Sequence, residues 1–574
     1  MKWNEPGQTD MAAAIHTIEP FDAIVVGSGM SGGMAAKELC ERGLKTLVLD
    51  RGVPFEHGTS FITEHKRDWE LPRHGKVPLE EQEQDYPTQS RVYLFDEATK
   101  HLFVKDSKQP YIQEKPYDWI RANQVGGRSL MWARQTYRWG PQDFRANLED
   151  GHGNDWPIRY EDIAPWYDHV EAFVGISGQS ERLPQVPDSN FLPPMEMTAV
   201  EKHMKARVEA AFPERRMTIG RCAVLTQEHN GRLPCHYCGT CERGCSTASY
   251  FSAVSVSLPA AARTGNMTLK ANSIVHSVIH DASTGRASGV RVIDAETGEM
   301  TEYQARMVFL CASTLGTTQI MLNSKDRIHP NGIANSSGVL GRYLMDHHMG
   351  VNAVGYTDDF DDRFYNATRP NGIYIPRFRN LDAASKRSDY VRGFAYQGSS
   401  YRLGPSRGSS MVGIGADFKH SLRDPGPWAM ELWGFGECLP DYDNHCRLSE
   451  DQMDPWGIPQ LIVSAQWGEN EKAMRRDCVE SAREMMEAAG FRDIDVQDNI
   501  DDNPQGLAIH EMGTARMGRD PKTSVLNGFN QAHDVPNLFV TDGACMPSTA
   551  VQNPSLTYMA LTARAVDYAV KTLT

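Results

Sequence analysis

Phe21-Asp-Ala-Ile-Val-Val26 runs straight into Gly27-Ser-Gly29-Met-Ser-Gly32, and the stretch closes on Thr46-Leu-Val-Leu-Asp50. The first run is short, apolar and partly β-branched, which predicts a buried parallel strand. A helix should follow, because Ala35, Ala36, Leu39 and Cys40 give one apolar face and Gly43 supplies a stop. Thr46 to Asp50 then reads as the second strand of a Rossmann-type βαβ unit. The glycines have separate tasks: Gly27 makes the tight turn, Gly29 admits a pyrophosphate to the backbone, and Gly32 lets helix and strand pack closely. The N–H groups that open the helix, around Met30 and Ser31, face that anionic group. Asp50, with Arg51 beside it, stands where an acid accepts hydrogen bonds from an adenosine ribose. The unit predicts a bound dinucleotide, but alone it does not separate NAD from FAD.

At 574 residues the chain exceeds one ordinary core, so two closely packed domains are expected. Residues 20–55, 116–144, 235–345 and 505–574 are rich in Gly, Ala, Ser and short apolar runs, as buried strands near a ligand require. Residues 56–115, 145–234 and 346–504 are wetter, with more aromatics, prolines and charges. The first set reads as a discontinuous cofactor domain, the second as a substrate domain inserted into it, and 1–19 as a tail. Asn470 to Ala489 places Ala473, Cys478, Ala482, Met485 and Met486 at helical spacing before Gly490, and another helix is expected from Leu556 to Leu573. Ile274 to His280 and Ser288 to Ile293, on either side of Ser283-Thr284-Gly285, read as a hairpin. Trp433, Tyr396 and Gln397 are of types that can face a polyol, and none is assigned that role.

The formal charge of −15 disfavours nonspecific attraction to nucleic acid or anionic lipid and suits a small, weakly charged substrate. No stretch approaches the roughly 20 consecutive apolar residues of a membrane span, so direct membrane insertion is not expected. Met1 to Pro20 lacks the pattern of a secretory signal. The expectation is a cytoplasmic protein, or a periplasmic one exported together with a signal-bearing partner.

Five further segments fix the chemistry: Asn123-Gln-Val-Gly-Gly-Arg-Ser-Leu-Met-Trp132, Trp156-Pro-Ile-Arg-Tyr-Glu-Asp-Ile163, Leu340-Gly-Arg-Tyr-Leu-Met-Asp-His347, His510-Glu-Met-Gly-Thr-Ala-Arg-Met-Gly518 and Asn537-Leu-Phe-Val-Thr-Asp-Gly543. Together with the glycine turn they resemble the glucose-methanol-choline (GMC) oxidoreductases along most of the chain. That resemblance implies an α/β and α+β architecture: a Rossmann-type FAD-binding domain with an inserted substrate domain built on a mostly antiparallel sheet. It implies FAD, with Gly126, Gly127 and Ser129 wrapping the flavin and Asp542 and Gly543 holding the ribityl and phosphate region. Pro554 and Ser555 are expected beside the cofactor as well. Some members of the family attach FAD covalently to a histidine just before the tryptophan of the first segment. Here that position is Met131, so the flavin is expected to be noncovalent.

Oxidising a secondary alcohol needs a base for the hydroxyl proton while the carbinol hydride leaves for the flavin. His510 is the candidate, with imidazole basicity suited to neutral pH. Asn553, in Gln552-Asn553-Pro-Ser-Leu-Thr557, matches the second position of the family's catalytic pair and can orient the same hydroxyl. His347 and His348 follow an apolar run and read as packing groups or the edge of the flavin domain rather than as bases.

Five of the eleven cysteines fall between Cys222 and Cys245. Cys235, Cys238, Cys241 and Cys245 have the spacing C-x2-C-x2-C-x3-C, which resembles the bacterial ferredoxin pattern except that Ser246 replaces its proline. Three readings stand: an iron–sulfur cluster, a zinc site, and structural or disulfide-bonded cysteines. A cluster would pass electrons singly to a protein acceptor. The multisubunit sugar dehydrogenases of this family, glucoside 3-dehydrogenases among them, work with a small subunit and a cytochrome c, and the chain resembles their catalytic subunit. The expected reaction is oxidation of a sugar or glycoside, at C3, to a keto-sugar. The alternatives are an oxygen-using sugar oxidase with structural cysteines, and a noncatalytic electron-transfer flavoprotein subunit.

Overall fold

A computed structural model describes residues 20–365 and 368–574. The expected tail, 1–19, lies outside the described residues. Phe21–Val26 forms the buried strand at the centre of a seven-stranded sheet, parallel to Thr46–Leu49 on one side and to Met300–Leu310 on the other. Met267–Lys270 and Leu538–Val540 extend the parallel part. The expected hairpin, Ser273–Asp281 with Arg286–Asp294, joins antiparallel to Met300–Leu310 at one edge. Ala23, Ile24 and Val25 are fully buried, which explains why this strand reads as an uninterrupted apolar run.

Helix Met30–Glu41 starts directly at the glycine turn and ends before Gly43, whose φ of +83° closes it in the left-handed region. Its Ala35, Ala36 and Leu39 share a core with Ala565, Val566 and Ala569 of helix Ser555–Leu573. The cofactor helix is therefore packed against a segment far along the chain.

A six-stranded sheet carries the inserted region and is antiparallel at every pairing, in the order Arg492–Asp498, His348–Thr357, Trp428–Gly436, Phe394–Arg402, Ile373–Ile375 and Thr218–Ile219. Helix Glu469–Ala488, one residue from its expected bounds, lays Ala473, Met474, Cys478, Ala482, Met485 and Met486 into the core beneath it.

A third sheet was not foreseen in the sequence. Met512–Thr514, Arg342–Met345, His445–Met453, Pro459–Ser464 and Ile112–Gln113 form five strands, three of them of two to four residues, drawn from segments of both textures. Strands of two to four residues are too short for alternation to register. Their pairing matters more than their length. Met345 lies opposite Met512 in antiparallel register, so the next two residues on each side bring Asp346 to Glu511 and His347 to His510.

Candidate active site

A cavity of about 380 Å³ runs from the Gly27 turn to His510 and Asn553. Gly27, Gly29, Met30, Ser31, Asp50, Arg51, Gly127, Ser129, Met131, Asp542, Gly543, Pro554 and Ser555 all line it. Gly32 and Gly126 do not. A Cβ on Gly32 would run into the Gly27 carbonyl, so this glycine serves helix–strand contact, as its position in the motif predicts. Gly126 has a φ of +92° and donates its N–H to Ser28 Oγ at 2.8 Å, so it shapes the wall from behind.

Gly29 differs from both. A Cβ there would meet nothing nearer than the Gly126 carbonyl at 3.8 Å, so no protein contact demands glycine. The space it leaves opens on the cavity, in front of a helix N-terminus with no side-chain cap. Free N–H groups with no Cβ in the way fit the pyrophosphate of a dinucleotide. Asp50 is bonded to the Ser28 backbone and hydroxyl and to the Gly52 N–H at 2.8 Å. Oδ2 takes both Ser28 bonds and Oδ1 that of Gly52, so Oδ1 can still accept a further bond from the cavity side. Asp542 takes the Thr317 hydroxyl and the Ala544 N–H, and burial pushes its carboxyl up to about 6.

At the other end His510 and Asn553 come together, with Asn553 Nδ2 3.4 Å from His510 Nε2. Asn553 precedes helix Ser555–Leu573 and His510 precedes the strand Met512–Thr514, so two unrelated elements aim at one point. Burial pushes the His510 imidazole well below its ordinary value, and His347 and the Arg128 cation act in the same direction. His510 is thus a neutral imidazole at neutral pH, the form a base requires.

Sequence reasoning missed four residues of this end and misjudged a fifth. Asp346 accepts the N–H groups of Gly506, Ala508 and His510 at 2.8, 3.2 and 3.0 Å, which holds the loop leading to His510. That loop includes Ile509 at a φ of +63°, a conformation that costs a β-branched residue about 1–3 kcal/mol unless its surroundings impose it. Burial, with Glu511 nearby, raises the Asp346 carboxyl to about 7. Arg128 grips Glu511 through both guanidinium arms, at 2.8 and 2.7 Å, and reaches Ser313 Oγ at 2.7 Å. Gln397, from the antiparallel sheet, donates to Asn553 Oδ1 at 2.7 Å. Arg128 and Asp346 lie inside the family segments, and their charge among apolar neighbours was the available signal. His347, read as a packing group, has its Nδ1 2.9 Å from His510 Nδ1. Its neighbour His348 does pack away from the cavity, with Nε2 3.2 Å from Met474 Sδ. Of the aromatic and polar trio in the inserted region, only Gln397 lines the cavity, while Tyr396 turns its hydroxyl to the Cys478 carbonyl in the core.

Cys235, Cys238, Cys241 and Cys245 do form a tight loop, with Gly239 and Gly244 at positive φ. All four are free thiols. Among the described residues no three His, Cys, Asp or Glu side chains form a group that could hold a metal ion, so the expected convergence of these sulfurs on one centre is not found. The sulfurs are engaged separately instead: Cys235 accepts the Tyr237 N–H at 3.3 Å, Cys238 the Thr240 hydroxyl at 3.4 Å, and Cys245 the Tyr250 N–H at 3.4 Å. Burial pushes the Cys235 thiol up to about 11 and that of Cys241 up to about 12.

The sequence matches both GMC oxidoreductase family models, over residues 21–349 and 440–562. It is 29% identical to a 2-methyl-1,2-propanediol dehydrogenase of Mycolicibacterium austroafricanum, over 95% of this chain and 94% of the relative. It is 25% identical to the fructose dehydrogenase large subunit of Gluconobacter japonicus, over 95% and 97%. Among solved structures, pyridoxine 4-oxidase from Mesorbium loti superimposes with a TM-score of 0.61 at 16% identity, covering 96% of this chain and 99% of that one. The glycine turn, the antiparallel sheet that reaches the same cavity and the paired His510 and Asn553 have the same explanation as these matches: the chain belongs to the GMC oxidoreductases.

Proposed function

We propose that the protein is an FAD-dependent dehydrogenase that oxidises a secondary hydroxyl of a sugar or glycoside, at C3, to a ketone. GMC oxidoreductases bind FAD, and the open space in front of Gly29 fits that group, with Met131 at the position that favours noncovalent attachment. Bound there, FAD supplies the hydride acceptor. Gly27, Gly29 and the first turn of the helix hold the pyrophosphate, and Asp50 takes the adenosine ribose. His510 Nε2 receives the hydroxyl proton. Asn553 Nδ2 donates to the same oxygen and fixes its lone pairs, so the carbinol hydrogen points along one direction. The observation that carries this reading is the approach of His510 Nε2 and Asn553 Nδ2 to 3.4 Å at the far end of the cofactor cavity.

A sugar fits the end of the cavity where His510 and Asn553 can take a neutral hydroxyl and where Arg128 is already paired with Glu511. The related fructose dehydrogenase large subunit is named for a sugar, and its name supports work within a multisubunit enzyme. The electrons accordingly pass to a protein acceptor, a small subunit and a cytochrome c, rather than to oxygen. No step is assigned to Cys235 to Cys245. Anaerobic bleaching of the flavin by a glycoside, followed by identification of the keto-sugar, tests the reaction, and His510→Ala is expected to abolish bleaching. Rapid peroxide formation without any added acceptor would place the protein with the sugar oxidases. Failure of every carbohydrate to bleach the flavin would favour a noncatalytic electron-transfer subunit.

A further inference from the structure

We propose that His347 is a positioning residue that fixes the tautomer of His510, keeping the proton on His510 Nδ1 and leaving Nε2 free to accept one. The proposal rests on the reading of His510 as the base.

The two rings meet at 2.9 Å through their Nδ1 atoms, edge to face, with centroids 4.9 Å apart. Two lone pairs at that distance repel and two N–H groups collide, so one nitrogen donates and the other accepts. The Asn553 end of the hydrogen-bond chain selects the direction. There Gln397 donates to Asn553 Oδ1, which turns Asn553 Nδ2 toward His510 Nε2. An amide N–H needs a lone pair there, so Nε2 carries no proton and Nδ1 does. At the other end His347 is fully enclosed and its Nε2 has no hydrogen-bond partner among the described residues, so that end does not choose a direction. With Nδ1–H of His510 directed at it, His347 Nδ1 is the acceptor and the proton of His347 sits on Nε2.

The usual partner of a catalytic imidazole is a carboxylate or a carbonyl. Asp346 is adjacent, but its oxygens are occupied by the N–H groups of His347, Gly506, Ala508 and His510. That carboxyl builds the loop, and the imidazole next to it orients the base. The choice has a chemical consequence. A neutral ring directs the His510 proton without a negative charge to stabilise the imidazolium, so His510 remains a weak base that gives up its proton readily.

The test uses FAD-loaded protein and two substitutions. His347→Asn places an amide oxygen near the lost Nδ1, and His347→Leu fills the space with no acceptor. Long-range proton–nitrogen NMR spectra of protein labelled with 15N-histidine report which nitrogen of His510 is protonated. The wild type and His347→Asn are expected to show Nδ1–H, and His347→Leu a mixture of tautomers. Anaerobic flavin bleaching by a glycoside is expected to slow roughly 100-fold in His347→Leu and to recover most of that loss in His347→Asn, with the half-saturating sugar concentration nearly unchanged. An Nε2–H tautomer in the wild type, or a wild-type bleaching rate in flavin-loaded His347→Leu, overturns the proposal. The wild-type spectrum decides even if the leucine variant does not fold. If no sugar bleaches the wild type, the assignment of function falls while the spectra still settle the tautomer.

Discussion

Gln397 donates to Asn553 Oδ1 at 2.7 Å, and so a strand of the inserted sheet determines which face of an amide is shown to His510. Without that bond Asn553 is free to turn its oxygen to the base. Gln397→Leu is expected to slow anaerobic flavin reduction about 10-fold, the worth of one net hydrogen bond of about 1.4 kcal/mol, while leaving the melting temperature within a few degrees. Stopped-flow absorbance at the flavin band measures the rate. An unchanged rate would mean that Asn553 is held by other contacts.

Gly29 and Gly32 should separate when each is changed to alanine. In Gly32→Ala the new methyl meets the Gly27 carbonyl, and the overpacking is expected to cost about 1–3 kcal/mol or more and to lower the yield of folded protein. In Gly29→Ala nothing in the protein is crowded, so the apoprotein should melt like the wild type. Its flavin content after purification should collapse, because the methyl occupies the approach of the pyrophosphate. Absorbance ratios and thermal melts of the two variants give the comparison.

The pH dependence of flavin reduction follows from the burial of His510. A base is active when unprotonated and is lost as pH falls through its pKa. With that pKa held well below the ordinary 6.5 by burial, His347 and Arg128, the rate attributable to the base should stay level through pH 6.5 and drop only in more acidic solution. Bleaching rates at saturating sugar, taken from pH 8 downward, measure this. A half-loss at pH 6.5 would show that the imidazole is solvated and the site open. Asp346, raised to about 7, works oppositely on stability: its folded state keeps a proton that the unfolded chain gives up near 4, so its contribution is lost as pH rises from about 4 through about 7. Melts across the same range isolate that effect from the rate.

Arg128 and Glu511 form a two-armed ion pair beside the base, with Glu511 only 1% exposed. Removing the cation leaves a buried carboxylate uncompensated, so Arg128→Met is expected to cost about 3–5 kcal/mol. Combining it with Glu511→Gln should restore most of that loss. Chemical denaturation of the two single variants and the double variant gives the coupling energy, and simple additivity would contradict the pairing.

The dinucleotide unit was readable because everything it needs is local: an apolar run, three spaced glycines, a helix face and a terminal acid within one continuous stretch. Helices Glu469–Ala488 and Ser555–Leu573 were readable for the same reason, since apolar spacing over many turns survives without tertiary information. His510 and Asn553 were legible only through the family segments. What linked them to His347, Asp346 and Gln397 was not legible, because it depends on the register of very short strands, Met345 against Met512 above all. The cysteine loop shows the converse. Its spacing gave a clear pattern, yet spacing fixes only how far sulfurs can be from one another and not which way they turn.

Ser31, at the start of the cofactor helix, donates its hydroxyl to the carbonyl of Thr541, 510 positions later. A ribosome therefore delivers the two halves of this binding site at nearly opposite times. The Gly27 turn emerges first, and the helix that supports it, with Asn553 just before it, emerges only after the whole inserted region. During synthesis the early unit has an uncovered apolar face and no completed pocket, so the apoprotein should depend on chaperones until late in translation. FAD can be retained only by a chain whose distant segments have already found each other, which makes cofactor loading a report on completed folding.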